Sequence, residues 1–399
     1  MKATYSQKQR QVLSEANARW NILSGAVRSG KTHVTYDMMP LRVKYQGRGD
    51  FLLIGKTERT LKRNVLNPMR ERFGAGLVSH VYGDGEIRLF GRHAYIVGAN
   101  DERAVTKIQG MGIVYGYGDE VPTWPESFFQ MLKSRLSEPG AKFDGTCNPE
   151  GPYHWLKEFI DNTANLNHWH FHIDDNPFLD RDFVTALKGE YTGLWYKRYI
   201  EGLWVLAEGV IYDMWDEAKH VIDGLPEAVN HYISIDYGTG NPTAFGLYGV
   251  KGNEAWKERE YYYDHTKHGR QKTDAEYSQD LKKFLGNIRP RQIIVDPSAL
   301  SFKTQLKKDG FVNVKDADNS VIDGIRTQAT MLHTGRYKVH RSCKETIREY
   351  SGYVWDTKAQ EKGEDKPMKQ NDHTKDEERY FLHTVMGKDR RLKAGQNIY

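Results

Sequence analysis

The sequence predicts an α/β fold in two consecutive domains, and three observations lead to this prediction. First, a glycine-rich motif with Lys31 and Thr32 follows a strand-like apolar run near the N-terminus. Second, apolar runs alternate with helical stretches through the first half of the chain, which is typical of a mostly parallel sheet covered on both faces. Third, two apolar strands in the second half each end in an aspartate, Asp236 and Asp296.

Composition agrees with two folded domains. The chain has 399 residues, which is too long for one average domain and long enough for two. It is 38% hydrophobic and 12% aromatic, and its apolar stretches are too short to cross a bilayer. No apolar signal core opens the chain, so we expect a soluble intracellular protein with reduced thiols at Cys147 and Cys343. The net charge of +5 favours a nucleic-acid partner only weakly.

The most informative motif runs from Gly25 to Thr32. It reads GAVRSGKT, the full G-x-x-x-x-G-K-T spacing of a phosphate loop, with Ser29 and Gly30 inside the loop. Such glycines let backbone N–H groups point at phosphate oxygens, and the helix that follows adds its positive N-terminal end. We expect Lys31 to reach the β- and γ-phosphates and the Thr32 hydroxyl to hold magnesium. An ordinary turn is the alternative, but the full spacing is hard to obtain by accident.

A phosphate loop needs acidic groups at a second strand end, and the run from Gly112 to Gly118 supplies them. This run ends in Asp119 and Glu120, just before Pro122. We expect Asp119 to coordinate magnesium through water and Glu120 to polarise the attacking water as general base. Read alone, the segment has an acidic surface turn as its alternative.

Charge that develops on a γ-phosphate is neutralised by a nearby guanidinium group. Arg28 lies inside the loop and is the best-placed candidate. Arg59 and Arg63 follow the second strand, and for them simple solvent exposure has equal weight.

Further strands are predicted at residues 51–55, 93–98, 143–148 and 168–172. Pro40 lies inside the helix expected after the phosphate loop, so we expect that helix to end or kink near Met39. The last of these strands alternates His168, His170 and His172 with aromatic residues. A half-exposed strand face explains this alternation better than a zinc site, because no cysteine or carboxylate is positioned to complete the ligand set.

The second domain carries a recurring acidic pattern. Asp236 and Asp296 end strands, while Asp372 and Asp376 lie one helical turn apart with His373 beside them. Carboxylates brought together from two strands and a late helix repel one another unless cations are bound, and oxygen ligands select magnesium or manganese. Two such ions are the usual apparatus for phosphodiester hydrolysis. For each aspartate alone, a turn at a strand end is the alternative.

In this order the motifs resemble the large subunit of a tailed-bacteriophage terminase, a DNA-packaging motor with an ATPase followed by a nuclease. The resemblance covers nearly the whole chain and includes the phosphate loop, Asp119-Glu120, Thr146-Cys-Asn148-Pro149, Asp236-Tyr-Gly, Asp296-Pro-Ser-Ala and residues 371–380. It implies that Asn148 belongs to the family's motif that couples hydrolysis to movement. It also implies that Gln9, upstream of the loop, lies where the family reads adenine.

For the second domain the resemblance implies an RNase-H-like nuclease. Asp236, Asp296 and Asp376 would be its metal ligands, with His373 close by. The family usually has alanine directly after the third aspartate, where this chain has glutamate. Asp372 is therefore a rival to Asp376 as the third ligand.

The resulting expectation is an α/β chain with a P-loop ATPase domain of the ASCE type and a parallel sheet at 1–205, a linker at 206–228, and an RNase-H-like nuclease domain at 229–399. Its cofactors would be ATP with Mg²⁺ at the first site and Mg²⁺ or Mn²⁺ at the second. Its partners would be double-stranded viral DNA, a small terminase subunit and the portal protein. We expect a monomer in free solution, a homo-oligomeric ring of five copies on the portal, and a host-cytoplasmic location without membrane.

Two other classes of function stay open at this stage. The first is a repair or recombination ATPase of helicase-like type, which leaves the three late aspartates without a role. The second is a noncatalytic scaffold that binds nucleotide as a switch, which the absence of ATP turnover with DNA present would favour.

Overall fold

The computed structural model describes residues 5–83, 85–238, 241–370 and 372–387, and within them the chain divides into two units. Unit 1 comprises the residues up to Lys188 together with Leu194–Leu206 and Glu361–Glu364. Unit 2 comprises Gly189–Gly193, Ala207–Gln360 and the residues from Asp365 onward. None of the helices in the described ranges is long and apolar enough to cross a membrane.

Unit 1 is an α/β layer structure. Its elements are α1 (Gln7–Glu15), β1 (Trp20–Gly25), α2 (Lys31–Tyr45), β2 (Asp50–Gly55), α3 (Glu58–Leu61), α4 (Asn67–Phe73), β3 (Glu86–Leu89), β4 (Arg92–Gly98), β5 (Ile113–Gly118), α5 (Glu126–Arg135), β6 (Lys142–Cys147), α6 (Trp155–Asn162), β7 (Leu166–Phe171), α7 (Arg181–Glu190) and α8 (Gly193–Tyr199), with short 3₁₀ or π turns at Lys62–Leu66, Glu102–Lys107, Val121–Thr123 and Ile173–Asp175. The strands form one sheet in the order β3-β4-β2-β5-β6-β1-β7. All neighbours are parallel except β3 and β4.

Both faces of this sheet are buried, as the sequence predicts. Along β2, Leu52 and Ile54 belong to one apolar cluster, whereas Phe51 and Leu53 belong to another. Because successive side chains of a strand point to opposite faces, the two clusters lie on opposite sides of the sheet. The prediction of a mostly parallel sheet covered on both faces is confirmed.

The helix after the phosphate loop is expected to end or kink near Met39; it does not end there but continues through Pro40 to Tyr45. Its far end is held by Arg42, whose guanidinium pairs with the buried Asp144 carboxylate at 2.8 Å. Tertiary anchoring of this kind outweighs the hydrogen bond that a proline removes.

Unit 2 is built around a second sheet. Its elements are α9 (Glu217–His220), β8 (Val221–Ile222), β9 (Asn230–Asp236), β10 (Thr243–Lys251), β11 (Glu254–Tyr263), α10 (His265–His268), α11 (Asp274–Leu285), β12 (Gln292–Val295), α12 (Leu300–Lys308), β13 (Val314–Asp316), α13 (Val321–His333), β14 (Tyr337–His340), α14 (Lys344–Gly352), α15 (Thr357–Gln360) and α16 (His373–Phe381), followed by a π turn at Leu382–Met386. The strand order is β13-β12-β9-β10-β11-β14-β8. The segment at 206–228 that the sequence analysis treats as a linker contains α9 and β8, and β8 pairs with β14.

The sheet of unit 2 combines antiparallel and parallel strand pairs. Strands β9, β10 and β11 form an antiparallel meander, while β12 and β13 extend the sheet in parallel on the other side of β9. One face packs on the apolar cluster that contains Ile233, Phe245 and Phe302. On the other face α16 lies against β9, where the Ser234 hydroxyl donates to the Glu377 carbonyl oxygen at 2.8 Å. The predicted α/β fold is therefore confirmed for both units.

Candidate functional site: a phosphate loop in unit 1 and an acidic cluster in unit 2

The phosphate loop connects the buried strand β1 to the start of α2. Gly25 and Gly30 have φ angles of 133° and 91°, which L side chains rarely adopt. A Cβ atom at Gly25 would lie 2.0 Å from the Phe171 carbonyl oxygen, so only glycine fits there. Since α2 begins at Lys31, its unpaired first-turn N–H groups and positive dipole end face the loop.

Lys31 is buried and lies at the centre of the loop. Its ammonium donates to the Gly25 carbonyl oxygen at 2.9 Å, to Ser29 Oγ at 3.3 Å and to Asn148 Oδ1 at 3.2 Å. Burial lowers the pKa of Lys31 to about 8, although the nearby Asp119 carboxylate opposes this shift. The structure thus brings together four of the predicted nucleotide-binding residues around one ammonium group.

Asp119 follows β5 and is buried beside this lysine. Its backbone N–H donates to the Ile54 carbonyl oxygen at 2.8 Å, and Thr146 Oγ1 donates to its carboxylate at 3.1 Å. Burial raises the pKa of Asp119 to about 6, with the Glu120 charge adding to the shift. Thr146 is a member of this site that the sequence analysis did not single out, although it opens the Thr146-Cys-Asn148-Pro149 motif.

Glu120 adopts a left-handed backbone conformation, with φ 53° and ψ 49°. A glutamate incurs a steric penalty in this region, and such residues cluster at functional sites. The conformation turns the chain directly after Asp119, and the Glu120 carbonyl oxygen then accepts from the Thr123 N–H at 3.0 Å. The half-buried side chain lies close enough to Lys31 to affect the pKa of that lysine.

The remaining predicted residues of this site differ in their placement. Gln9 is buried, and its amide nitrogen donates to the Gly30 carbonyl oxygen at 3.1 Å. Thr32 is half-buried in the first turn of α2. Arg28 has a φ of 58° and an exposed side chain, and the described residues make no hydrogen bond or ion pair with its guanidinium. The structure therefore does not bring Arg28 to the lysine.

The two alternative arginines, Arg59 and Arg63, are both exposed, and among the described residues neither forms a hydrogen bond or ion pair with the loop. The histidines of β7 take part in ordinary polar contacts. His168 Nε2 lies 2.6 Å from Ser24 Oγ, and His170 Nε2 lies 3.0 Å from the Glu201 carbonyl oxygen. The interpretation as a half-exposed strand face agrees with these contacts.

In unit 2, Asp236 and Asp296 end two adjacent parallel strands. The Asp296 N–H donates to the Ile235 carbonyl oxygen, so the two aspartates lie side by side at the carboxyl ends of β9 and β12. His373, at the start of α16, places Nδ1 3.2 Å from Asp236 Oδ2. Burial raises the pKa of Asp236 to about 6; Asp376 adds to this shift, and the His373 contact opposes it.

Asp376 is held by two cations. Its Oδ1 atom accepts from Arg379 at 2.9 Å, and its Oδ2 atom lies 2.9 Å from the Lys369 ammonium. Lys369 also lies 3.4 Å from Asp372, the rival ligand, which is buried at the N-cap of α16. Both candidate aspartates lie near enough to Asp236 for their charges to raise its pKa.

The cluster suits a divalent cation in its chemistry. Its carboxylates are buried or half-buried, and the charges of Asp376 and Asp372 add to the raised pKa of Asp236. Asp372 and Asp376 also attract the Lys369 ammonium. Within the described ranges, however, no three His, Cys, Asp or Glu side chains converge closely enough to hold a metal ion. Metal ligation by Asp236, Asp296, Asp376 and His373 is therefore still a prediction.

Tyr380 was not among the predicted site residues, but it is buried and connects this cluster. Its hydroxyl donates to Asp296 Oδ2 at 2.6 Å. Burial and the charges of Asp236 and Asp376 raise the pKa of Tyr380. Together with its bonded partner Asp296, all three aspartates therefore lie near the tyrosine ring. The signal in the sequence for this residue is its position four residues after Asp376 on the same helix.

Glu377, at the position where the resemblance predicts alanine, faces away from the acidic cluster. Its carboxylate pairs with the fully buried Lys257 ammonium at 2.6 Å and accepts from the Tyr248 hydroxyl at 2.5 Å. Its charge is thus compensated inside the core, on the side of α16 that packs against the sheet.

Comparison with known proteins agrees with this geometry. The family model "Terminase large subunit, T4likevirus-type, N-terminal" matches residues 22–219. The large terminase subunit of Escherichia phage T5 is 25% identical over 279 residues, which cover 65% of this chain. The match spans 62% of the length of the T5 protein.

Solved structures give a similarity over nearly the full chain. The large terminase from a thermophilic bacteriophage is 41% identical, with a TM-score of 0.90, and the alignment covers 96% of this chain and 100% of that one. The same thermophilic phage protein in complex with ATP-γ-S gives a TM-score of 0.88 at 41% identity, covering 96% and 99% of the two chains. With this identity over a complete relative, the chain belongs to the large terminase family.

Proposed function

We propose that this chain is an ATP-driven DNA-packaging motor that also cuts concatemeric viral DNA with a metal-dependent endonuclease. ATP hydrolysis belongs to residues 1–205 and cleavage to residues 229–399; the predicted linker at 206–228 joins them, and its α9 and β8 are part of unit 2. The observation that carries the proposal is the presence of two separate acidic sites, each at the carboxyl ends of strands in its own sheet. One of them surrounds a buried phosphate-loop lysine.

In the first site the loop N–H groups and Lys31 bind the phosphates of ATP. Thr32 and Asp119 hold Mg²⁺, and Glu120 acts as general base toward the attacking water. Gln9 contacts the adenine side of the nucleotide, while Asn148 links the γ-phosphate position to the rest of unit 1. Arg28 neutralises developing charge only if its exposed side chain turns toward the loop.

The half-buried position of Glu120 and the raised pKa of Asp119 support this division of roles. Because Asp119 is buried, its ionised carboxylate needs a nearby cation. Lys31 supplies one positive charge, whereas Asp119 and Glu120 together carry two negative charges. Glu120 retains partial access to water, which a general base requires.

In the second site Asp236, Asp296 and Asp376 hold Mg²⁺ or Mn²⁺, with His373 oriented by Asp236. Bound there, such ions would supply Lewis-acid activation of water and stabilisation of the leaving oxygen. If Asp376 keeps its ion pair with Arg379 when the metal is bound, Asp372 is the third metal ligand in its place. The partners are double-stranded viral DNA, a small terminase subunit and a portal protein, in the host cytoplasm. We further propose a monomer in free solution and a ring of five copies on the portal.

The test uses the full chain with three alanine variants. Glu120→Ala is expected to abolish ATP turnover and to keep plasmid cleavage in Mn²⁺, whereas Asp236→Ala is expected to do the reverse. The control is Glu126→Ala, an exposed glutamate six residues after Glu120, which is expected to keep both activities. If Glu120→Ala or Asp236→Ala removes both activities in a folded protein, the assignment of two sites is wrong.

A further inference from the structure

Arg198 is a large charged side chain that is completely buried in unit 1, and neither proposed activity uses it. It lies on α8, and its Nη1 atom donates to Glu150 Oε2 at 3.2 Å. Its Nε and Nη2 atoms both donate to the Val205 carbonyl oxygen, at 3.2 and 2.6 Å. The planar guanidinium group therefore connects Arg198 to Val205, the two ends of the segment 198–205, which we call the brace.

The brace is also fixed to the phosphate loop. The Tyr199 carbonyl oxygen accepts from the Val27 N–H at 2.8 Å. Gly202 has a φ of 72°, and a Cβ atom there would lie 2.8 Å from both Gly25 Cα and the Ala26 nitrogen. Backbone of the brace thus lies directly against backbone of the loop.

A short path leads from the nucleotide site to Arg198. Asn148 accepts a hydrogen bond from the Lys31 ammonium, and Glu150 is only two residues further along the chain. The residue between them is the buried Pro149, whose ring fixes φ and leaves little freedom to absorb a displacement. When phosphate oxygens compete for the Lys31 ammonium, Asn148 loses a donor and the chain at Glu150 is free to shift.

We propose that Arg198 is a positioning residue which, through its pair with Glu150, transmits the nucleotide state from Asn148 to the brace. The brace is the last part of unit 1 before the chain enters unit 2 at Ala207. The pair therefore connects hydrolysis to one of the segments at which the chain passes from unit 1 into unit 2. This inference rests on the proposed function, because it requires that ATP binds at the loop.

The test is hydrogen exchange of the full chain with and without ATP-γ-S. In the wild type, nucleotide should slow exchange at residues 25–32 and also in the brace. Glu150→Gln keeps the side-chain shape and removes the charge. It should reduce the brace response about tenfold, the effect of one charge-assisted hydrogen bond, while the response at 25–32 persists. The matched control is Glu158→Gln, an exposed glutamate on α6, which should behave as wild type.

A steady-state readout separates transmission from mere support of the fold. Glu150→Gln should leave the KM for ATP unchanged and lower the DNA-stimulated kcat, whereas a structural defect would change both. Arg198→Lys is the second variant, which keeps the cation but loses the fork, and an intermediate brace response is expected.

Two results would overturn the inference: a wild-type brace that does not respond to nucleotide, or Glu150→Gln and Arg198→Lys variants that both respond fully. Failure of the proposed function looks different. In that case residues 25–32 of the wild type would show no protection at saturating ATP-γ-S, whatever the brace does.

Discussion

The Tyr380 hydroxyl donates a 2.6 Å hydrogen bond to Asp296 Oδ2, joining the last helix of the acidic cluster to the end of β12. Burial acts to raise the pKa of Asp296, but this bond and those from Ser298 outweigh it and hold the pKa below its usual range. Tyr380 thereby keeps Asp296 ionised and fixes the orientation of its carboxylate. Groups that orient a ligand in this way commonly matter nearly as much as the ligand itself.

Tyr380→Phe should therefore weaken metal binding while the protein stays folded. The phenylalanine fills the same space and removes only the hydroxyl, so Asp296 loses its orientation and its pKa rises. Loss of such an outer contact typically costs about 10–100-fold in metal affinity or activity. The measurement is Mn²⁺ titration by calorimetry, together with plasmid cleavage.

The control for this variant is Tyr353→Phe. Tyr353 is also buried near Asp376, but its hydroxyl has no hydrogen-bond partner among the described residues. This second variant should bind Mn²⁺ as the wild type does. Equal effects of the two substitutions would show that the Tyr380 bond has no special role.

Glu120→Gly should be more stable than Glu120→Ala, although both lose the general base. The φ of 53° strains any residue with a Cβ atom, by roughly 1–2 kcal/mol in the left-handed region, and glycine avoids this strain. We expect a difference in the free energy of unfolding of about 1 kcal/mol, measured by urea denaturation without nucleotide.

The same pair of substitutions at Gln130 provides the comparison. Gln130 is exposed on α5, where glycine should be less stable than alanine by about 1 kcal/mol. If Glu120→Gly is less stable than Glu120→Ala, the backbone strain at position 120 is relieved in solution.

ATP-γ-S affinity should fall as the pH rises from about 7.5 to about 9. Burial lowers the pKa of Lys31 to about 8, so the free protein loses this proton above pH 8, whereas the lysine bound to phosphate keeps it. Binding must then take up a proton, and the affinity loss approaches tenfold per pH unit well above the pKa. In the free protein the sign is opposite, because a lysine with a depressed pKa favours folding more as the pH rises from about 8 to 10.

Calorimetry in two buffers of different ionisation enthalpy measures this proton uptake directly. Lys31→Arg stays charged throughout the range, so its weaker binding should show little pH dependence. Unchanged wild-type affinity across this pH range would mean that Lys31 remains protonated in the free protein.

The parts of both sites that the sequence predicted are those coded locally. An apolar strand that runs into an aspartate predicted where Asp119, Asp236 and Asp296 would lie, because parallel strands end at one edge of a sheet. The phosphate-loop spacing similarly predicted that Gly25 and Ser29 would lie beside Lys31. In these cases a few neighbouring residues determine the geometry.

The features that the sequence did not reveal depend on contacts between distant residues. Arg28 is close to Lys31 along the chain, but its left-handed backbone directs the side chain to solvent. The helix after the loop passes through Pro40 because Arg42 finds Asp144 about a hundred residues later. The partner of Glu377 is likewise 120 residues away in sequence, so no local pattern could identify it.

That partner, Lys257, explains why alanine cannot simply replace Glu377 in this chain. Both members of the pair are completely buried, with an N–O distance of 2.6 Å. Glu377→Ala should destabilise the protein by about 3–5 kcal/mol, because it leaves a buried ammonium without its counter-ion. The double variant Lys257→Met/Glu377→Ala should recover most of this loss, since it removes both charges and keeps apolar volume. Urea denaturation of the four proteins of this cycle measures the effect.

The control is Glu58→Ala, which breaks the exposed Glu58–Lys62 pair and should cost less than about 1 kcal/mol. A double variant as unstable as Glu377→Ala would mean that Glu377 is needed for its contact with Tyr248 rather than for its charge.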